Sequence, residues 1–331
     1  MMKYVGLDIG AKSFEVAVRS HGKTRQTRSF EQTPSGHAQA TRWIGSFKPN
    51  RVVMEATGVY HLDLALALFT AGLPVCVINP RSGRRFAELT LTQSKTDWID
   101  ARLLAEYAER MTPLLWTAPA PSHMVLRDLG RQINRLTHRR TQAKNRLHAL
   151  QAKANTPRLL IEDEQEGIHH LDQRIERLTK AALESIKQCD GLAEGFQVLC
   201  SAKGVGQASA VAILAELCVL PEELKAKQVA CHAGLDVRLN QSGISIDRPG
   251  RLSKHGNTYL RAAMFMPAMC AVRHDPRAKA FYETLLARGK KRIQAICAVM
   301  RKYLTGLWAC LKQQTPFDSA ALFSDIHFKE A

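Results

Sequence analysis

The residues able to do chemistry gather around Lys95-Thr96-Asp97-Trp98-Ile99-Asp100-Ala101-Arg102. Asp97 and Asp100 stand three apart at the opening of a helix expected over Ile99 to Met111. At that spacing both carboxylates leave one helix face, roughly 5–6 Å apart at Cβ. Two further acids fall at expected strand ends, Asp8 after Tyr4-Val-Gly-Leu7 and Glu55 after Val52-Val-Met54. A charge inside Gly6-Leu-Asp8-Ile-Gly10 is costly unless it is paired or bound to a metal. Each acid alone has a plainer use, since an Asp pair in a first turn ordinarily answers the helix dipole. As a set, Asp8, Glu55, Asp97 and Asp100 are hard oxygen donors, which choose Mg²⁺ or Mn²⁺. Two such ions about 3.5–4 Å apart can activate a nucleophile and stabilise a leaving oxygen at a phosphodiester.

Ser242 offers a hydroxyl between Gln241 and Gly243, among Arg238, Arg248 and Arg251. By pattern alone it is a turn residue. A serine becomes a nucleophile only beside a base or a metal. Nothing local supplies one, so activation must come from the acid cluster in the other domain or in another subunit. Ser245 and Ser253 stand equally open on physical grounds. His169-His170 and Cys231-His232 lack zinc spacing and read as surface or core residues.

The elements that must position these groups form three blocks. Residues 3–9, 13–19 and 24–30 read as strands, Gly36 to Phe47 as a helix and Arg51 to Met54 as a strand. Tyr60 to Ala71 reads as a helix and Val75 to Ile78 as a strand stopped by Asn79-Pro80. That order is an α/β domain with a mixed sheet, the element order of ribonuclease H-like nucleases, over residues 1–118. Residues 119–190 carry two heptad-like seams, Leu126 to Leu150 and Ile168 to Ala182, separated by Asn155-Thr-Pro157. They predict a coiled-coil hairpin, either self-packed or paired with another subunit. Residues 191–331 form a mostly helical domain. There Lys203-Gly204-Val-Gly206-Gln207, between two helices, has the shape of a helix-hairpin-helix module. Its glycines and the next helix N-terminus could approach a phosphate. Residues 238–256 read as an exposed loop or hairpin, and helices come next over Asn257 to Val272, Pro276 to Arg288 and on to Gln313.

The formal net charge of +17 predicts an anionic partner, and its spread through the chain favours nucleic acid over membrane. Ser122 to Arg158 alone holds nine Lys/Arg against one acid, Asp128. Arg131, Arg135, Arg139, Arg140, Lys144 and Arg146 are the expected backbone contacts there. Lys203, Gly204, Gly206, Arg238, Arg248, Arg251, Lys254, Lys290, Lys291 and Arg292 extend the expected nucleic-acid-binding set. The eight cysteines show no CxxC pair and read as reduced core thiols of a cytosolic protein. Leu62 to Ile78 is broken by Asp63, Gly72 and Pro74, so no membrane segment is expected. The start, Met-Met-Lys-Tyr-Val, enters a strand at once and leaves no room for a signal peptide.

Several motifs together resemble one family. Gly6-Leu-Asp8-Ile-Gly10, Glu55-Ala-Thr-Gly58-x-Tyr60, Val77-Ile-Asn-Pro80, Lys95-Thr-Asp97-x-x-Asp100-Ala-Arg102, Gly204-Val-Gly206, Ala233-Gly-Leu235 and Gln241-Ser242-Gly243 run in the order found in IS-one-ten insertion-sequence transposases. These are DEDD recombinases, and they include site-specific DNA invertases. The resemblance implies a RuvC-like catalytic domain, a coiled coil and a C-terminal transposase domain. It implies Asp8, Glu55, Asp97 and Asp100 as Mg²⁺ ligands and Ser242 as the nucleophile that forms a phosphoserine. It also implies dimers that pair into tetramers with composite active sites, acting on double-stranded target and donor DNA in the bacterial cytoplasm, at the nucleoid when active. One branch of the family carries a bridge RNA whose two loops pair with target and donor.

Three rivals stay open at this level. A RuvC-like nuclease or resolvase would use metal-activated water and leave Ser242 a turn residue. Gly6-Leu-Asp8-Ile-Gly10 also resembles the first phosphate loop of actin-like sugar kinases, although the chain shows no second phosphate loop or adenosine motif. A non-catalytic nucleic-acid scaffold would need the charge and not the acids.

Overall fold

The computed structural model describes residues 2–58, 60–91, 96–242 and 246–324; at 240, 242 and 246–249 the backbone alone is described. The chain divides into two compact units, Met1–Ala118 and Pro119–Ala331.

The first unit is built on a five-stranded mixed sheet. Its strands are β1 (Tyr4–Ile9), β2 (Ser13–Ser20), β3 (Lys23–Glu31), β4 (Arg51–Glu55) and β5 (Val75–Ile78), in the order β3-β2-β1-β4-β5. β1 pairs antiparallel with β2 and parallel with β4. Strand alternation sends Val5, Leu7, Ile9, Val52 and Met54 to one face. There they join Ala40 and Ile44 of α1 (Pro34–Ser46) and Leu64, Ala65 and Leu68 of α2 (Tyr60–Thr70) in one core. The opposite face carries Tyr4, Val53, Cys76 and Ile78, which pack with Leu104 and Ala108 of α4 (Asp97–Met111). The expected strands and helices of this block are present. One helix was not read from the sequence: α3 (Pro80–Leu89), capped by the Asn79 side chain.

α4 lies close on the sheet because Gly6 has no side chain. A Cβ there would collide with the Ala101 carbonyl oxygen and the Ala105 nitrogen. Ala17, Ala101 and Ala105 fill the remaining space as a small cluster of their own. Tyr4 meets Leu104 and Ala108, whereas Gly6 meets Ala101 and Ala105. α4 therefore runs against β1, and its N-terminus lies over the end of β1 that carries Asp8. Arg19 pins the far half of α4, with Nε 2.6 Å from Glu109 and Nη1 3.4 Å from Glu106.

The second unit opens with two long helices, α5 (Pro121–Ala152) and α6 (Arg158–Lys187). They form a self-packed antiparallel hairpin, bridged by Arg140–Asp172 at 2.6 Å and Arg146–Glu164 at 2.8 Å. The base of the hairpin merges with the helical bundle of the same unit. Leu126, Ala182 and Ile186 share one core with Leu192, Leu214, Val229, Tyr303 and Leu307. These come from α7 (Asp190–Cys200), α8 (Gln207–Leu217), α9 (Ala226–His232) and α13 (Arg292–Gln313). β6 (Val237–Ser242) and β7 (Ile246–Leu252) form an antiparallel hairpin. The helix expected over Asn257 to Val272 is two helices, α10 (Thr258–Ala263) and α11 (Phe265–His274). Pro267 explains the break, since it lacks an N–H and its ring crowds the carbonyl four residues back, at Ala263. α12 (Pro276–Ala287) and the short α14 (Ser319–Leu322) complete the unit. Cys76 is buried, Cys231 is exposed and the other six thiols are half-buried; all eight are free. No helix among the described residues is long and apolar enough to cross a membrane.

Candidate catalytic site

Strand register brings three acids side by side on the α4 face. Asp8 pairs directly with Glu15 across β1 and β2. On the other side Leu7 pairs with Met54, so one position on, Asp8 stands beside Glu55, the last residue of β4. Neighbouring strands are about 4.8 Å apart, which makes Glu15, Asp8 and Glu55 one row of carboxylates. Asp97 and Asp100 lie in the first turn of α4, which Gly6 admits over this end of the sheet. Glu15, Thr96, Asp97 and Trp98 line one open cleft. Arg102 lies 4.1 Å over the Trp98 ring, one turn along the same helix.

Two of these neighbours escaped the sequence reading. Glu15 could have been found by counting the β1–β2 register outward from the Gly10-Ala-Lys12 turn. Gly83 could not. The Glu55 carboxylate occupies the place where a Gly83 Cβ would stand, with Leu104 Cδ2 at 3.6 Å on its other side. α3 thus meets Glu55 through its glycine.

The five acids at this end of the sheet offer carboxylate oxygens, a chemistry that suits Mg²⁺ or Mn²⁺. Among the described residues no three Asp, Glu, His or Cys side chains converge closely enough to hold a metal ion. The donor types fit the expected cation, and a closed cage does not stand ready. Lys95 lies outside the described residues.

In the second unit, Ser242 ends β6 and its backbone pairs with Ile246. The side chains of Ser242 and Arg248 lie outside what is described, as does Ser245. Ser253 is buried, and its hydroxyl donates to Asp236 Oδ1 while accepting from the His255 N–H at 3.3 Å. That engagement removes it as an exposed nucleophile and anchors the root of the β6–β7 hairpin. Arg238 and Arg251, exposed and paired in register, project from the hairpin.

The basic set divides by partner. Arg131 donates to the buried Glu216 carboxylate at 2.7 and 2.9 Å, and this bond holds its guanidinium above the ordinary range. Glu216 is 2% exposed and also accepts from Asn257 at 2.5 Å. Arg131 is therefore a strut between α5 and α8, half-buried where its position in the basic run implied full exposure. Arg135 donates to the Tyr259 hydroxyl at 3.1 Å, while Arg140 and Arg146 bridge to α6. Arg139 and Lys144 are exposed on the same helix, as are Lys203, Lys254, Lys290, Lys291 and Arg292 elsewhere in this unit. Gly204, at φ +90°, faces inward: Pro267 O and Cys270 Cβ of α11 lie 2.7 and 2.8 Å from where its Cβ would be. The packing of α11 requires a glycine there. Gly206 is the exposed residue that opens α8.

Comparison with known proteins covers both units. A DEDD-type IS110 model described as "Transposase" matches residues 5–154, and one described as "Transposase IS116/IS110/IS902 family" matches residues 196–283. The "Pilin gene-inverting protein" of Moraxella bovis is 29% identical over 324 residues, covering 95% of this chain and 97% of that relative. Its namesake from Moraxella lacunata shows the same identity and coverage. Among solved structures, T. thermophilus RuvC in complex with Holliday junction substrate is 18% identical with a TM-score of 0.28, covering 35% of this chain and 100% of that one. The two family matches between them take in Asp8, Glu55, Asp97, Asp100 and Ser242, and they span most of the length. The chain belongs to the IS116/IS110/IS902 family of transposases, enzymes that cleave and join DNA strands.

Proposed function

We propose that this transposase recombines the DNA of a mobile insertion sequence through a serine nucleophile. Ser242 Oγ attacks the scissile phosphorus. The Oγ–P bond forms as the P–O3′ bond breaks; Oγ gives up its proton, and the departing 3′ oxygen takes one up, so the step is proton-neutral. The phosphodiester energy is kept in phosphoserine on the 5′ end, so a 3′-hydroxyl from another strand reseals the backbone without ATP. Asp8, Glu55, Asp97 and Asp100 would hold the divalent cation, Mg²⁺ or Mn²⁺. When bound, it would favour the ionised hydroxyl and stabilise charge on the leaving oxygen. The observation that carries this reading is the row of Asp8 and Glu55 on adjacent strands, with Asp97 and Asp100 brought over it by α4.

The substrates are double-stranded target and donor DNA, selected by a bridge RNA that pairs with both. A guide that reads sequence leaves the protein to contact backbone and shape. The exposed Arg139 and Lys144 on α5 suit that task. Dimers pair into tetramers, and one subunit's acids work with another's serine. The test is to incubate 5′-labelled DNA, Mg²⁺ and co-purified RNA with wild type and Ser242→Ala, then look for protein covalently held on the 5′ end. Wild type forms the adduct and Ser242→Ala does not. Free ends alone from active wild type establish instead a nuclease that uses metal-activated water.

A further inference from the structure

The helix missed in the sequence has a charged outer face that none of the assigned roles uses. Arg81, Arg84, Arg85 and Glu88 recur at i, i+3, i+4 and i+7 along α3, so they form one stripe. All four are exposed, and with Pro80 they wall a shallow hollow. The opposite side of the helix is its packing side, where Gly83 and Phe86 are buried and Gly83 meets the Glu55 carboxylate. The arginine stripe therefore lies about one helix diameter, ~10 Å, from a residue of the carboxylate row.

We infer that the outer face of α3 is a phosphate-binding ridge that holds the DNA strand entering the carboxylate row. This rests on the function proposed above. The stripe contributes little to folding. Arg84 and Glu88 are 3.5 Å apart at 83% and 66% exposure, an arrangement worth next to nothing in water. Arg81 and Arg85 are exposed, and Phe86 does the packing. Electrostatics gives the stripe a use. Glu15, Asp8, Glu55, Asp97 and Asp100 gather acidic side chains where a polyanion must arrive. At ~10 Å from Glu55, about one Debye length at 0.1 M salt, three guanidiniums offset part of that field, and more of it at low salt. Their forked donors match phosphate oxygens. From Arg81 to Arg85 the helix rises about 6 Å, against 3.4 Å of duplex rise per nucleotide of one strand, so the stripe spans two successive phosphates. DNA is the occupant because Glu55, on the other side of the same helix turn, belongs to the row that acts on DNA.

The test uses the full chain with Arg81, Arg84 and Arg85 all changed to Gln, and a companion with all three changed to Lys. Duplex DNA affinity is measured in EDTA from low to high salt, beside wild type and Glu55→Gln. With two to three phosphate contacts removed, the Gln variant loses about 2–3 from the log–log salt slope, at 0.9 per contact. The Lys variant keeps the slope, and melting temperatures stay level. In cleavage with Mg²⁺ the Gln variant raises KM for DNA and spares kcat. An unchanged slope, or a loss confined to RNA binding, overturns the ridge. Glu55→Gln with the wild-type slope but no cleavage supports the carboxylate site. Glu55→Gln that cleaves normally sinks the proposed function and leaves the ridge to be judged by its own slope.

Discussion

Asp8 and Glu15 stand directly opposite each other on β1 and β2, both on the face covered by α4. Like charges so placed destabilise an antiparallel pair by roughly 0.2–1 kcal/mol. Glu15→Gln should therefore raise the melting temperature of the cation-free protein. It should also shrink the further rise that Mg²⁺ gives wild type. Calorimetry with and without Mg²⁺ checks both; a Gln variant that melts lower than wild type without cation would show that Glu15 is stabilising where it stands.

Gly6 sets the height of α4 above the sheet, and hence the reach of Asp97 and Asp100. Gly6→Ala forces backbone against backbone at Ala101 and Ala105. Overpacking of this kind costs about 1–3 kcal/mol. Strand cleavage should fall further than stability does, because the helix that bears two of the acids is displaced. Denaturant melts beside cleavage rates decide it, and a stable, fully active Gly6→Ala would refute the close docking of α4.

Much of the first unit was legible because its pattern is local. Apolar runs ending in Asp8 and Glu55 marked buried strands, and the i, i+3 aspartates marked a helix start. α3 was not legible because Phe86 and Leu89 are its only large apolar residues, and Leu89 is 75% exposed. Its arginines made it look like a loop. The Arg131–Glu216 pair joins residues 85 apart, and no periodicity announces such a partner. For the same reason Arg131 looked like its exposed neighbours Arg139 and Lys144. Gly204 looked like a turn made for a ligand because the neighbour that fills its empty side, α11, comes from more than sixty residues downstream.

The two arginines should separate cleanly. Arg131→Met leaves the Glu216 carboxylate buried without its main partner, and breaking such a pair costs about 3–5 kcal/mol. Arg139→Gln removes an exposed charge and should leave stability within about 0.5 kcal/mol. DNA affinity should show the reverse at matched folded fractions, with Arg139→Gln lowering the salt slope by about 1 and Arg131→Met leaving it alone. Urea melts and salt titrations of the two variants make the comparison.

Burial holds the His37 and His232 imidazoles below their ordinary value of 6.5, against smaller opposing pulls from Asp63 and Glu216. In the unfolded chain both take up protons near 6.5; in the folded chain they do so only at lower pH. The unfolded state thus binds more protons below about 6.5, and stability should fall as pH drops from about 7.5 to about 5.5. Urea midpoints at those two pH values measure the fall. His37→Gln combined with His232→Gln should flatten it, and an undiminished fall in that double variant would assign it to other groups.

The most direct measurement is a calorimetric titration of Mn²⁺ into the full chain, with wild type, Asp8→Asn, Glu55→Gln and Asp97→Asn compared on a DNA substrate that cannot be cleaved. Wild type should bind at one or two sites, and each substitution should weaken or abolish that binding while DNA affinity persists. Equal Mn²⁺ binding by all four proteins, or none by wild type on DNA, would contradict a carboxylate row that holds the cation for strand cleavage.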